Sequence, residues 1–171
     1  MANIILKKIK KIDKKIKRHF GNSGNSFPSV VDQGFKWLPF VLVLMVGAEK
    51  TKAKNNYFEK IKLITLSKLI LKCIVLPLKK SIRRKRPGIL FKFNSFPSNH
   101  TATSFAGAEI LHHEMRNNLP VVSLAAYPIA ITTAALRIYK GKHWFSDVVA
   151  GAIIGIGSAK LSYPLYRNFC R

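Results

Sequence analysis

Residues 119–136, LPVVSLAAYPIAITTAAL, carry no charge at all in a chain that holds 30 Lys and Arg against 7 Asp and Glu. Such a run suits a bilayer-crossing helix, and it requires the rest of the chain to keep its cations and apolar side chains apart. Four other segments share its character. Residues 30–48, densest in WLPFVLVLMVGA, place Asp32, Gln33 and Lys36 toward a wet end. Residues 61–78, IKLITLSKLILKCIVLPL, are interrupted by Lys68 and Lys72 on one helical face, which either snorkel or line a polar groove. Residues 100–113 are rich in Ala, Ser, Thr and Gly, and residues 144–166 include AGAIIGIG; both compositions let helix backbones approach closely in lipid. The expectation is an all-α integral membrane bundle with about five transmembrane helices. Tyr139, Trp144, Tyr163 and Tyr166 fall near segment ends and are expected in aromatic belts.

The opening MANIILKKIKKIDKKIKRHF sets Ile5, Ile9, Ile12, Ile16 and Phe20 at helical spacing among eight cations between Lys7 and Arg18. That pattern suits a helix lying in a membrane interface among anionic headgroups. The expected organisation is therefore a basic amphipathic helix and linker over residues 1–29, the linker being GNSGNSFPS, followed by a membrane-embedded domain over residues 30–171. No cleavable signal peptide is read at the N-terminus. Cys73 and Cys170 are expected as unpaired thiols packed as small hydrophobes. The net charge of +23 calls for an anionic partner: nucleic acid, a membrane surface or a phosphorylated molecule. The apolar segments favour the membrane over nucleic acid.

If five segments cross in alternation, the end of the second, the start of the third, the end of the fourth and the start of the fifth emerge on one face. Those ends carry Lys79 and Arg86 in KKSIRRKRPG, then Pro97-Ser98-Asn99-His100, then Arg137, then His143 with Asp147 a helical turn beyond. Lys79, Arg86 and Arg137 would form a trivalent cationic pocket suited to phosphate. Ser98 is a fitting N-cap for the third segment, whose first amides also favour an anion. His143 and Asp147, spaced i,i+4, project from one helix face, so the carboxylate can hold one ring nitrogen while the other attacks. His100, from another helix, would protonate the departing alkoxide. Glu109 and His112 form one Glu-x-x-His unit, whereas a di-iron bundle needs two such units and further carboxylates, so neither a metal nor a cofactor is expected.

KKSIRRKRP from Lys79, PSNH from Pro97 and LRIYKGKHWFSD from Leu136 resemble the three-part signature of the phosphatidic acid phosphatase type 2 superfamily: K-x6-R-P, P-S-G-H and S-R-x5-H-x3-D. The resemblance covers roughly Asn56 to Tyr166, and NSFPSNHTATSFAGAEILHHE with HWFSDVVAGAIIGI looks most like the bacterial lipid A phosphatase type. It implies metal-free hydrolysis through a phosphohistidine on His143, with Asp147 as partner and His100 as acid. Lys79, Arg86, Ser98 and Arg137 are implied as phosphate ligands. Asn99 stands at the position of the family's Gly within that phosphate site, and Leu136 replaces the Ser before Arg137. The implied substrate is a phosphorylated membrane lipid, a lipid A phosphate first, with undecaprenyl diphosphate or phosphatidate-type lipids as alternatives. A phosphate-binding pseudoenzyme, a vanadium haloperoxidase and a basic nucleic-acid-binding protein are the competing readings. The implied location is a bacterial inner membrane with the site on the periplasmic face, against the positive-inside tendency of the basic N-terminus.

Overall fold

The structure, a computed structural model, describes residues 2–20, 33–46, 55–89 and 91–169. The linker at 21–29, Cys170 and both ends of the first apolar segment lie outside the described residues. The described residues form helices α1 (Ala2–Phe20), α2 (Leu38–Val46), α3 (Tyr57–Ile82), α4 (Asn99–Met115), α5 (Pro120–Leu124), α6 (Ala126–Tyr139) and α7 (Phe145–Phe169), with no strand among them.

All five apolar segments are mainly helical where described, with turns at Lys36–Trp37 in the first and at Ala125 in the fourth, but they are not alike. Two helical stretches, Pro120–Tyr139 across α5 and α6 and Phe145–Phe169, are both long and apolar enough to cross a bilayer. The third segment forms a helix of 17 residues. The second forms one of 26 residues, long enough to span, but diluted by lysines. On α3 the buried positions Lys60, Leu63, Ser67, Leu71 and Val75 make a single stripe at helical spacing, which turns the remaining side chains outward. Cys73 is on that outward side and exposed, not packed as expected, because it falls two residues past the buried Leu71. Lys68 sits 3.3 Å from the centre of the Trp37 ring, so it joins α3 to the chain just before α2 by a cation–π contact, while Lys72 is exposed.

Helix α4 is the hub. It packs against α2, α3, α5, α6 and α7, and its buried residues run from Thr101 to Met115 on nearly every side. Small side chains make this possible: a Cβ on Gly155 of α7 would lie 2.2 Å from the Ala102 carbonyl oxygen, and one on Gly151 would lie 2.6 Å from the Ser98 carbonyl oxygen. The outer faces are the opposite, with Met45, Leu69, Leu76, Ile131, Ile153 and Leu161 all exposed. An apolar perimeter around a core containing Ser, Thr, Glu and Arg suits lipid as the surrounding solvent.

At the end where α4 finishes, Glu114 accepts hydrogen bonds from the Asn55 backbone N–H at 3.0 Å, the Asn55 amide at 2.7 Å and the Tyr163 hydroxyl at 2.8 Å. His112 contacts the Ser123 hydroxyl at 3.1 Å, and Glu109 is engaged by Tyr127 and Lys160. Tyr163 stacks on His113, and Tyr166 is buried. These two tyrosines therefore serve the interior and not an aromatic belt, because buried carboxylates require donors.

The α4–α7 crossing yields a stability prediction. Gly155→Ala must push a helix backbone aside and should cost about 1–3 kcal/mol, seen as a lowered melting temperature in detergent. Gly157→Ala, whose Cβ would meet nothing within 4 Å, should leave the melting temperature unchanged or raise it.

Candidate active site

The opposite end of the bundle gathers the segment ends singled out by the sequence. The loop after α3 meets the turn between α6 and α7 through the Gly88 N–H, which donates to the Gly141 carbonyl at 2.8 Å. Gly141 has φ of +58°, a left-handed conformation that only glycine adopts without penalty, so this turn depends on it. The start of α4 is pinned to α7 by the Ser98 N–H, which donates to the Asp147 carbonyl at 3.0 Å. The His143 N–H donates to the Arg137 carbonyl at 3.3 Å, closing the turn that carries the imidazole back over the end of α6.

His143 and Asp147 are both fully enclosed, at 2% and 0% exposure. Their relation differs from the direct hydrogen bond expected from i,i+4 spacing. The His143 Nδ1 lies 3.9 Å from Asp147 Oδ2, an electrostatic contact too long for a hydrogen bond, and 2.6 Å from the Ser95 carbonyl oxygen. A carbonyl only accepts, so Nδ1 carries the proton and the neutral ring's lone pair falls on Nε2. Asp147 is held instead by the Ser95 hydroxyl at 2.5 Å, the Trp144 N–H at 2.9 Å and the Arg84 guanidinium at 2.6 Å. Ser95 thus contacts both members of the pair, one through its carbonyl and one through its hydroxyl. Sequence reasoning missed it, since a Ser in SFPS reads as an ordinary turn residue. Arg84 was missed too, as one cation in SIRRKRP.

The cations surround this pair. Lys79 Nζ donates to the Asn94 carbonyl at 2.7 Å, and Arg86 Nε donates to the Asn94 side-chain oxygen at 2.9 Å, so one neutral residue positions both. Arg137 is buried at 3% exposure. Burial first, and then the fields of Arg86, Arg137 and Lys79, hold the His143 imidazole below its ordinary value, outweighing the nearby Asp147 carboxylate. Burial and the positive field of Arg137 also lower Arg86. The site therefore contains mutually repelling cations whose repulsion a bound anion would relieve.

Ser98 is buried and caps α4: its hydroxyl accepts from the Thr101 N–H at 3.5 Å and lies 2.9 Å from the Thr101 hydroxyl. Asn99 and His100 occupy the first turn of α4 and are partly exposed. Asn99 has no positive φ, so the substitution of the expected Gly imposes no left-handed backbone. Leu136 lies on α6, partly exposed.

Comparison with known proteins accounts for this arrangement. The profile of the PAP2 superfamily matches residues 60–171. The chain belongs to the PAP2 superfamily. A lipid A 1-phosphatase from Porphyromonas gingivalis is 46% identical over 70 residues, 41% of this chain and 16% of that protein. A probable lipid phosphate phosphatase 4 from Arabidopsis thaliana is 37% identical over 82 residues, 42% of this chain and 27% of that protein. The aligned stretches thus span well under a third of either relative.

The fold is similar to that of Aquifex aeolicus LpxE, with a TM-score of 0.66 at 24% identity, covering 88% of this chain and 93% of that one. It is likewise similar to a transmembrane PAP2 type phosphatidylglycerolphosphate phosphatase from Bacillus subtilis, with a TM-score of 0.65 at 21% identity, covering 99% and 89%. The PAP2 fold here is an all-α membrane bundle.

Relief of cation repulsion predicts that orthophosphate or orthovanadate will raise the melting temperature of the detergent-solubilised protein. The expected gain is roughly 2–4 °C for each kcal/mol of binding free energy. Arg137→Ala should lose the shift. Melting curves with chloride at matched ionic strength provide the comparison.

Proposed function

We propose that this PAP2 member is a metal-independent lipid phosphatase, hydrolysing a phosphate ester on a membrane lipid through a phosphohistidine. The observation that carries the reading is the committed tautomer of His143, whose Nδ1–H donates to the Ser95 carbonyl and leaves a lone pair on Nε2 among cations. Nε2 attacks phosphorus as the bond to the lipid oxygen breaks, and His100 supplies the proton taken up by the leaving alkoxide. Water then attacks the phosphoryl group, giving a proton to His100 as the N–P bond breaks. Free phosphate leaves and both imidazoles return to their starting state.

Lys79, Arg86 and Arg137, with Ser98, Asn99 and the first amides of α4, hold the phosphate oxygens and favour the charge that builds in the transition state. Asp147 holds the imidazolium-like ring by its field across 3.9 Å. Lipid A phosphate is the first substrate to test, on the similarity to the Porphyromonas lipid A 1-phosphatase. A phosphatidate-type lipid is the second substrate to test, on the similarity to the Arabidopsis probable lipid phosphate phosphatase. The apolar perimeter suits lateral arrival of such a substrate, its tails remaining in the bilayer while the headgroup meets the cations. The helix α1 and linker over residues 1–29 act as an interfacial element gathering anionic headgroups beside the membrane domain of residues 30–171. The site faces the periplasm of a bacterial inner membrane. A reporter fused at Asn117, at the opposite end of the bundle, should then read as cytoplasmic.

Purified protein should release phosphate from a lipid A phosphate in mixed micelles, and His143→Ala should lower kcat by about three orders of magnitude or more. Release by His143→Ala at the parent rate would end the mechanism. Because the His143 imidazole is held below its ordinary 6.5, it stays neutral as pH falls through that value. The acid limb of kcat/KM, where protonation removes the lone pair, should accordingly lie below pH 6.5, measured across a buffer series at constant ionic strength.

A further inference from the structure

On α1 one acid sits among cations, and it is the residue the bundle encloses. Asp13 is 2% exposed while its neighbours Ile12 and Lys14 are exposed. Its Oδ1 accepts the Ser146 N–H at 3.0 Å, and its Oδ2 accepts the Ser146 hydroxyl at 2.7 Å and Arg84 Nη2 at 2.6 Å. The other arm of the same guanidinium, Nη1, reaches the Ser146 hydroxyl at 2.7 Å and Asp147 Oδ1 at 2.6 Å. One planar fork therefore joins two carboxylates 134 positions apart in the chain, one on the N-terminal helix and one beneath His143.

The geometry of a guanidinium makes this more than docking. Its donors diverge at fixed angles, so fixing Nη2 on Asp13 sets where Nη1 points. The Ser146 N–H is one of the first amides of α7, which have no partner within their own helix, and Asp13 supplies its acceptor. Asp13 thus steadies the turn of α7 that carries Asp147 from two directions. One turn along α1, Lys17 Nζ donates to the Pro87 carbonyl at 2.8 Å and lies 5.6 Å from the centre of the Trp144 ring, whose Nε1 donates to the Lys85 carbonyl at 2.9 Å. Helix α1 is latched to both strands of chain that hold the site.

We infer that Asp13 is a positioning residue for the proposed hydrolysis, acting through Arg84 and Ser146 on Asp147 and hence on His143, so that turnover requires α1 to be docked. The inference rests on the phosphatase reading for its kinetic part only. In the full chain in mixed micelles, Asp13→Asn should lower kcat about tenfold with KM within twofold of the parent, the split expected when a positioning contact is lost and the phosphate ligands are kept. Since Asp13 acts through Arg84, the double variant Asp13→Asn/Arg84→Gln should be no slower than Arg84→Gln alone.

A kcat above half the parent value, a loss confined to KM, or losses that multiply in the double variant would each overturn the inference. A parent that releases no phosphate from any lipid tested removes the phosphatase reading and leaves the docking to a second measurement. With Trp37→Phe, Trp144 is the sole tryptophan, and its acrylamide quenching should rise at least about twofold on Asp13→Asn as α1 leaves its ring. Unchanged quenching overturns the docking. Should Asp13→Asn not be recoverable in folded form, Lys17→Met loosens the same latch and should give a kcat loss of about threefold without a KM change; parent kinetics would overturn the inference.

Discussion

A carboxylate with no exposure, at the first turn of a helix, organises this molecule. Burying an ionised group without partners costs several kcal/mol, so Asp147 demands donors from wherever the chain can bring them. Three donors come from two stretches: the Ser95 hydroxyl and the Arg84 guanidinium in the loop between α3 and α4, and the Trp144 N–H just before α7. The Asp147 carbonyl, meanwhile, receives the N–H of Ser98, the residue that caps α4. Satisfying this one residue pins the loop, the α4 start and the α7 start together, and the imidazole of His143 falls into place because Ser95 offers its carbonyl from the same position.

This pinning works because the helices behind it approach so closely. Gly151 and Gly155 bring α7 onto the backbone of α4 directly below the Ser98–Asp147 contact, and any larger residue at either position would lift the two helix starts apart. In lipid, where apolar side chains gain nothing by leaving a surrounding of their own kind, such close packing and interior hydrogen bonds are what hold helices together. The same reasoning explains the far end, where Glu114 ties Asn55 before α3 to Tyr163 on α7. Each end of the bundle is closed by a buried acid.

Much of this was legible in the sequence. The five apolar segments, the small-residue stripes and the shared emergence of four segment ends follow from composition and counting, and Ser98 before an Ala/Thr/Ser run reads as a cap. Backbone acceptors and long-range partners were not legible. Nothing in SFPSNH reveals that the Ser95 carbonyl takes the His143 proton, because a carbonyl has no residue identity to read. Arg84 is indistinguishable by type from Arg83, and only the folded chain sets it between Asp13 and Asp147. Asp13 did leave a signal: it is the only acid before Asp32, on a helix whose other charged side chains are all Lys or Arg. Position near a segment end misassigned Tyr163 and Tyr166, because it cannot tell a belt residue from one that donates into the interior.

The distribution of acids explains how the site can remain electropositive while enclosing carboxylates. Among the described residues, Glu59, Glu109 and Glu114 lie away from the site, engaged by groups including Tyr166, Tyr127 and Tyr163. Only Asp13 and Asp147 lie beside it, and both direct an oxygen to Arg84 at 2.6 Å. Lys79 and Arg86 turn instead to the neutral oxygens of Asn94, which position them without cancelling their charge. Arg84 therefore offsets part of the negative charge needed to build the histidine's support, and Lys79, Arg86 and Arg137 outnumber what is left. Replacing Asn94 by Asp would leave the hydrogen-bonding geometry nearly intact yet place a competing carboxylate within their field, which is why a neutral residue suits this position.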